Sequence, residues 1–180
     1  MAEFGAKGYA GARTAAIAAR AGVNPQLISY HFGGKQGLLE ELRRRWQRIE
    51  ESIATPGTPF EASVTAALDA TLDQPDQARM VIWQALGDCP FADAAEGERH
   101  LRAQRTRLAE AVRRIRERQD AGEVTGDVDA QFALLVTYAV IFAPIALPQL
   151  VRELLGDDPQ SPAVRRRLHD QLTKLLGTAG

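Results

Sequence analysis

Residues 17–39 contain two short helical patterns separated by a tight turn, and this segment limits the possible folds more than any other. The first pattern has small apolar residues on one face and ends at Gly22, where a positive φ is cheap. Asn24 and Pro25 then suit the N-cap and first position of a second helix over about residues 25–31. Two helices joined in this way predict a helix-turn-helix, which places its second helix in the major groove of DNA.

The second helix is short, so its few apolar residues must hold it in place. These contacts are expected from Val23, which would fill the corner of the turn, and from Leu27, Ile28 and Phe32. Glycines 33 and 34 end the helix, and Lys35 opens the next one. A cation at a helix start opposes the macrodipole, but it is well placed if a phosphate binds there too.

This N-terminal segment resembles the TetR family of bacterial transcriptional regulators over about residues 2–45. Ser29 and Leu27 depart from the family's usual residues, and few residues precede Phe4, so the first helix is expected to be truncated. The matching residues are Phe4, Gly8, Tyr9, Ile17, Ala18, Ala21, Gly22, Val23, Tyr30, His31, Phe32, Lys35, Leu38 and Leu39.

The resemblance and the polar tips of the second helix together predict the DNA contacts. Asn24 and Gln26 are the expected base readers, because an amide can pair bidentately with adenine. Asn24 can serve as an N-cap instead, and His31 can hold the turn instead of contacting DNA. Arg13 either contacts a phosphate or is solvated. The other phosphate contacts are assigned to Ser29, Tyr30, His31 and Lys35.

Charge and composition fit this prediction and limit the compartment. Residues 1–50 carry eight cations and four anions, whereas the remainder carries 14 cations and 19 anions. A basic head on an acidic body is typical of a DNA module joined to another domain. The arginines at 43–45 can equally be a solvated helix face. The single Cys89, expected to be a buried small residue, fits a reducing cytoplasm.

Helical periods dominate the remaining chain and predict an all-α fold. We expect a helix-turn-helix DNA-binding domain over residues 1–45 and a helical ligand-binding and dimerisation domain over residues 46–180. One long apolar helix is expected to kink near Pro144 or Pro148. A predicted helix at about 35–53 links the two domains, and the predicted helices of the second domain lie at about 59–72, 75–86, 98–121, 130–155 and 162–176.

Two further surfaces are expected in the second domain. Aromatic and methionine side chains suit an apolar small-molecule cavity, although ordinary core packing explains them as well. Trp83 and Tyr138 are favoured because each has a large ring and a hydrogen-bonding group. The effector candidates are Phe60, Met80, Trp83, His100, Tyr138 and Phe142. A C-terminal helix pair, one helix with a leucine stripe and one largely apolar partner, predicts a dimer through a four-helix interface, with the named residues Val164, Leu168, Leu172 and Leu175.

These features together predict a homodimeric, ligand-responsive repressor. It would bind a palindromic operator in double-stranded DNA and be released by a small apolar or amphipathic molecule. Enzyme activity, a cofactor and a membrane partner are not expected. A metal is not expected either, since neither the three histidines nor the single cysteine has the spacing of metal ligands. The alternatives are a helical adaptor and a small-molecule-binding enzyme with an incidental helix-turn-helix.

Overall fold

The structure is a computed structural model that describes residues 1–53, 57–88, 91 and 93–177. Its described residues form helices joined by short turns, so the predicted all-α class is confirmed. Cys89 lies outside the described residues. The helices are α1 (Ala2–Gly11), α2 (Thr14–Ala21), α3 (Pro25–Phe32), α4 (Lys35–Ile53), α5 (Phe60–Asp73), α6 (Pro75–Ala85), α7 (Ala94–Asp120), α8 (Ala130–Ala146), α9 (Pro148–Leu155) and α10 (Pro162–Leu176).

The chain divides into two compact units, here named the head unit and the body unit. The head unit comprises Met1–Ser52 and Gln74–Gly97, and the body unit comprises Ile53–Asp73 and Glu98–Gly180. These boundaries differ from a division at residue 45, because α6 packs against α1 rather than within the body. The added segment is acidic, so the head unit has nine basic and nine acidic side chains. The basic character therefore belongs to residues 1–50 alone.

The core of the head unit lies where α1, α4 and α6 meet. Phe4, Ala12, Leu39 and Met80 form one buried cluster there, each at most 3% exposed. The α1 and α6 backbones approach closely, since a Cβ at Gly5 would lie 2.5 Å from the Asp76 carbonyl oxygen. Met80, an effector candidate from the sequence, is thus a core residue of the head unit.

The helix-turn-helix has the local geometry that its sequence predicts. Gly22 ends α2 with a φ of 67°, and the Val23 N–H donates to the Ala18 carbonyl. Asn24 caps α3, because its side-chain oxygen accepts from the Gln26 N–H at 2.9 Å. Val23 does not fill the corner, since it is 41% exposed.

The body unit is built around contacts among α5, α8 and α10. Asp129 caps α8 by accepting from the Phe132 N–H, and Ser161 caps α10 by accepting from the Val164 N–H. The turn between α7 and α8 pairs with the end of α10, where the Thr125 N–H donates to the Leu176 carbonyl at 2.7 Å. This bond fixes the C-terminal helix against the rest of the unit.

The long apolar run of the sequence is two helices rather than one kinked helix. α8 ends at Ala146, and α9 begins at Pro148 with a bend of 96° between them. Among the described residues, no single helix is long and apolar enough to span a membrane; α8 and α9 reach the required length only as this bent pair.

Candidate DNA-binding site

α3 exposes almost its whole surface, although it is only eight residues long. Ile28 is its one buried residue, at 4% exposure. Leu27 and Phe32, which the sequence assigns to packing, are 43% and 39% exposed instead. The Gly22 turn and a single apolar anchor therefore suffice to hold α3, which leaves a mixed polar and apolar face available to a partner.

The two predicted base readers lie at the N-terminal end of α3. Asn24 is exposed, but its side-chain oxygen is already bonded to the Gln26 N–H. Its amide nitrogen is the group left for a base. Gln26 is exposed, and the cap uses its backbone N–H rather than its side-chain amide. Gln26 is consequently the less constrained of the two amides.

The predicted phosphate contacts of α3 lie one turn further along. Tyr30 is 82% exposed, the highest fraction among the exposed large apolar and aromatic side chains. Its ring meets that of His31 edge-on at 5.0 Å, and His31 in turn meets Phe32 at 6.5 Å. Ser29 is also exposed. These three consecutive rings therefore meet edge-on at the exposed end of α3.

Lys35 has a structural role that the sequence did not reveal. Its Nζ donates to the Tyr9 carbonyl at 2.8 Å and to the Ala12 carbonyl at 3.0 Å. The same ammonium lies 4.3 Å from the centroid of the Tyr9 ring. Because an ammonium has three donors, one N–H remains for a phosphate.

Arg13 occupies the N-cap position of α2 with an exposed side chain. Glu3, a buried residue of α1, lies close to it. The hydrogen bond from Lys7 at 2.8 Å lowers the pKa of Glu3 most, and a hydrogen bond from the Arg13 backbone N–H lowers it further. Glu3 therefore stays ionised and links the start of α2 to α1.

The basic run at 43–45 is divided between core and surface. Arg43 is buried, with its guanidinium 5.1 Å from the centroid of the Phe91 ring. Arg44 pairs with Glu41 at 3.2 Å on the exposed face of α4. The run is thus neither a uniform solvated face nor a continuous phosphate-binding patch.

The effector candidates are divided between the two units. Met80 and Trp83 belong to the head unit, where the Trp83 Nε1–H donates to the Gly5 carbonyl at 3.1 Å. Phe60 and His100 lie in the body unit, with Phe60 4% exposed beneath the Arg118 guanidinium. Tyr138 and Phe142, also of the body unit, stack on α8 at 6.3 Å. Their assignment to an effector stays a prediction.

The body unit contains a cavity of about 230 Å³ that none of these candidates lines. Five of its seven lining residues carry charged side chains. Arg118 crosses it to donate to the Thr58 carbonyl at 2.8 Å and to the Ser63 hydroxyl at 2.6 Å. Burial lowers the pKa of this guanidinium, although Glu123 opposes the effect. The lining residues are Gly57, Thr58, Arg113, Arg114, Glu117, Arg118 and Glu123.

Most of the predicted dimer residues of α10 are buried or half-buried within the body unit. Val164 and Leu172 are 2% and 1% exposed, so they pack inside the protomer and cannot present a surface to another copy. Leu168 is half-buried, and Leu175 is 61% exposed.

A second exposed apolar surface lies on α8, the largely apolar partner helix, although the predicted interface residues are all on α10. Phe132, Leu135 and Tyr138 are 57%, 63% and 41% exposed, and Phe142 continues the same stripe one turn on. The signal was present in the sequence, because α8 is apolar on nearly every side and a helix of that kind has two faces to bury.

Comparison with known proteins places this geometry in a family. Residues 1–42 match the model described as "Bacterial regulatory proteins, tetR family", and residues 61–173 match "Tetracyclin repressor-like, C-terminal domain". The chain belongs to the TetR family. The resemblance noted in the N-terminal sequence is therefore confirmed and extends through the body unit.

Individual similar proteins are also transcriptional regulators by their names. The HTH-type transcriptional repressor SCO4008 of Streptomyces coelicolor is 29% identical over 160 residues, which are 87% of this chain and 79% of the relative. The putative transcriptional regulator SCO4942 of Streptomyces coelicolor has a similar fold, with a TM-score of 0.71 and 20% identity over 97% of this chain and 92% of that one. A tetR-family regulatory protein from Rhodococcus RHA1 has a TM-score of 0.70 and 19% identity, and the match covers 98% of this chain and 92% of that one. At these identities the structures show a shared fold only.

Proposed function

We propose that this TetR-family protein is a homodimeric repressor of the bacterial cytoplasm, which binds a palindromic operator and releases it on binding a small molecule. The exposure of α3 is the observation that carries the proposal. An eight-residue helix that buries only Ile28 gains little from packing, so its open face is best explained by an external partner. Polar tips, exposed rings and one leucine on that face suit the groove and backbone of DNA.

Dimerisation is what gives the proposed DNA binding its sequence specificity. One recognition helix contacts only a few base pairs, whereas two held about 34 Å apart contact a palindrome. The outward stripe of α8 supports this assembly, because three large exposed side chains share one face with no charged residue among them. Leu175 of α10 is the one member of the predicted leucine stripe with a mostly exposed side chain.

Release by an effector requires a molecule that binds one conformation of the dimer better than the other. A change in operator affinity of about 100-fold needs roughly 3 kcal/mol of such preference. We assign the effector to the body unit and retain Phe60, His100, Tyr138 and Phe142 as its candidate contacts. Met80 and Trp83 are better explained by their packing in the head unit.

Base reading is tested by selecting binding sites from random duplexes with the Gln26→Ala protein. We expect the preference at one base position per half-site to weaken by about 1–3 kcal/mol, because a bidentate amide contact is lost. Gln171→Ala, an exposed amide on α10, is the matched control and should return the wild-type site. Identical sites from all three proteins would remove Gln26 from the readers.

Phosphate contact is tested by the salt dependence of operator binding in Lys35→Ala. If the third N–H of Lys35 binds a phosphate, the log–log slope falls by about one unit. Lys174→Ala removes an exposed lysine of α10 and should leave the slope unchanged. A loss of affinity with an unaltered slope would limit Lys35 to its bonds with α1. A wild-type protein that ignores duplex DNA at low salt would refute the repressor proposal.

A further inference from the structure

α1 is not one continuous helix. Gly8 interrupts it with a φ of 66° and a ψ of −175°, so the residues after it start a separate helical turn. Residues 9–12 form this turn, here named the 9–12 turn. Its local hydrogen bonds run from the Ala12 N–H to the Gly8 and Tyr9 carbonyls. A single turn is far too short to be stable by itself, because nucleation costs more than one such bond returns. Other parts of the head unit must therefore hold it.

The N-terminal end of the 9–12 turn is held from the α6 side. The Asp88 carboxylate accepts hydrogen bonds from the N–H groups of Tyr9 and Ala10, the latter at 3.3 Å. These are the donors that a helix start leaves without an intrahelical partner. Asp88 thus acts as an N-cap supplied from 79 residues away along the chain. The fit leaves no spare room, since a Cβ at Gly8 would collide with this carboxylate.

The C-terminal end of the same turn is held by Lys35. Its ammonium binds the Ala12 carbonyl, an acceptor of the kind that a helix end leaves free, and the Tyr9 carbonyl, which also accepts from the Ala12 N–H. An anion at the start of a helical turn and a cation at its end both match the direction of the backbone dipoles. Lys35 is the first residue of α4 and follows α3 after two glycines. The turn therefore joins α6 on one side to the end of the recognition helix on the other.

α6 belongs to the head unit, but along the chain it lies between two segments of the body unit. The chain leaves the body unit at Asp73, immediately before α6, and returns to it at Glu98. A displacement of α6 moves Asp88, and with it one of the two anchors of the turn. Trp83 adds a second bond between the elements through its Nε1–H and the Gly5 carbonyl, but this bond lies before the break at Gly8.

We propose that Asp88 is a positioning residue for DNA binding, which acts through the 9–12 turn and Lys35 to set the placement of α3. This inference rests on the proposed function. A loose turn leaves Lys35 without fixed acceptors, so the N-terminus of α4 and the end of α3 lose their common support. Operator binding, which needs α3 in one position, then weakens more than binding to an unrelated duplex, which needs only a basic surface.

The test measures operator and unrelated-duplex affinities of the full-length Asp88→Asn protein by fluorescence anisotropy. We expect operator affinity to fall about fivefold, because Asn keeps only one of the two acceptor oxygens and turns an NH2 donor toward the other backbone N–H, with less than a twofold change on the unrelated duplex. Simple electrostatics predicts the opposite sign, because removal of an anion strengthens binding to DNA. Glu61→Gln removes one exposed anion of α5 and serves as the charge-matched control.

A double-mutant cycle separates this role from general stability. In a Lys35→Met background the turn has already lost its second anchor, so Asp88→Asn should cost less than twofold there. Trp83→Phe keeps an aromatic side chain between α1 and α6 but loses the hydrogen bond before the break, and should retain operator affinity within twofold. Additive losses in the cycle would overturn the proposal.

Amide hydrogen exchange gives a readout independent of DNA. Exchange at Tyr9 and Ala10 should accelerate in Asp88→Asn and not in Glu61→Gln. Unchanged exchange, or faster exchange with wild-type operator affinity, would refute the role of Asp88. If the wild-type protein binds no duplex at all, the proposed function fails first, and that result is distinct from a wild-type operator affinity in the variant.

Discussion

α8 and α10 are both C-terminal helices of the body unit, but they use their apolar residues differently. α10 carries a regular stripe in which Val164, Leu172 and Leu176 are at most 2% exposed, and its outer face is mostly polar and charged. α8 is apolar on nearly all sides, and its outer face exposes Phe132 and Leu135 by more than half. The difference teaches that a clean amphipathic period marks the face buried inside a protomer. A second apolar face, not the regular stripe, indicates where another chain can bind.

Leu172→Ala is expected to have the largest effect, a loss of about 3 kcal/mol in the free energy of unfolding. Its side chain is 1% exposed, so truncation removes buried apolar contacts and leaves a cavity. Urea unfolding at several protein concentrations measures this loss in the free energy of unfolding. A loss that appears only as weaker dimerisation, with unchanged protomer stability, would contradict the assignment of α10 to the protomer core.

Leu135→Asp is expected to raise the dissociation constant of the proposed dimer by about 100-fold, since a buried unpaired carboxylate is placed on both sides of the interface. Analytical ultracentrifugation measures the change. Leu101→Asp is the matched control, because Leu101 is 50% exposed and belongs to α7 rather than to the α8 stripe. If both variants remain dimeric at the same concentration, the α8 stripe is not the interface.

Arg165→Met tests how firmly α10 is fixed to α5. Arg165 bridges Asp69 and Asp73, each at 2.6 Å, and these hydrogen bonds raise the pKa of its guanidinium. The pairs are partly exposed, so we expect a loss of only about 1 kcal/mol that shrinks in high salt. Thermal unfolding at low and high salt checks this. An effect independent of salt would indicate that packing of the arginine stem dominates.

Leu175→Ala is expected to have the smallest effect on the protomer, below about 0.5 kcal/mol, because Leu175 is 61% exposed. Comparison with Leu172→Ala therefore contrasts two leucines on the same helix, three residues apart. Equal losses of unfolding free energy from the two truncations would show that exposure in the protomer does not distinguish them.

The helix-turn-helix could be predicted nearly to the residue because its signals are local. Gly22 requires a positive φ, and Asn24 and Pro25 set the start of α3 within one turn of backbone. The break between α8 and α9 was harder to predict from the sequence, since a proline can either end a helix or only bend it. The roles of Lys35 and Asp88 could not be predicted, because each depends on backbone groups 23 to 79 residues distant along the chain.

The sequence by itself determined the helical class, the helix-turn-helix and the caps of α3 and α10, because these depend on dihedral preferences and hydrogen bonds between near neighbours. Only the tertiary structure decided that α6 belongs to the head unit, that Lys35 and Asp88 hold the two ends of one helical turn, and that α8 rather than α10 exposes the apolar face. The physical reason is that periodicity shows that a face will be buried but not against what. That choice depends on which distant elements fill the available space.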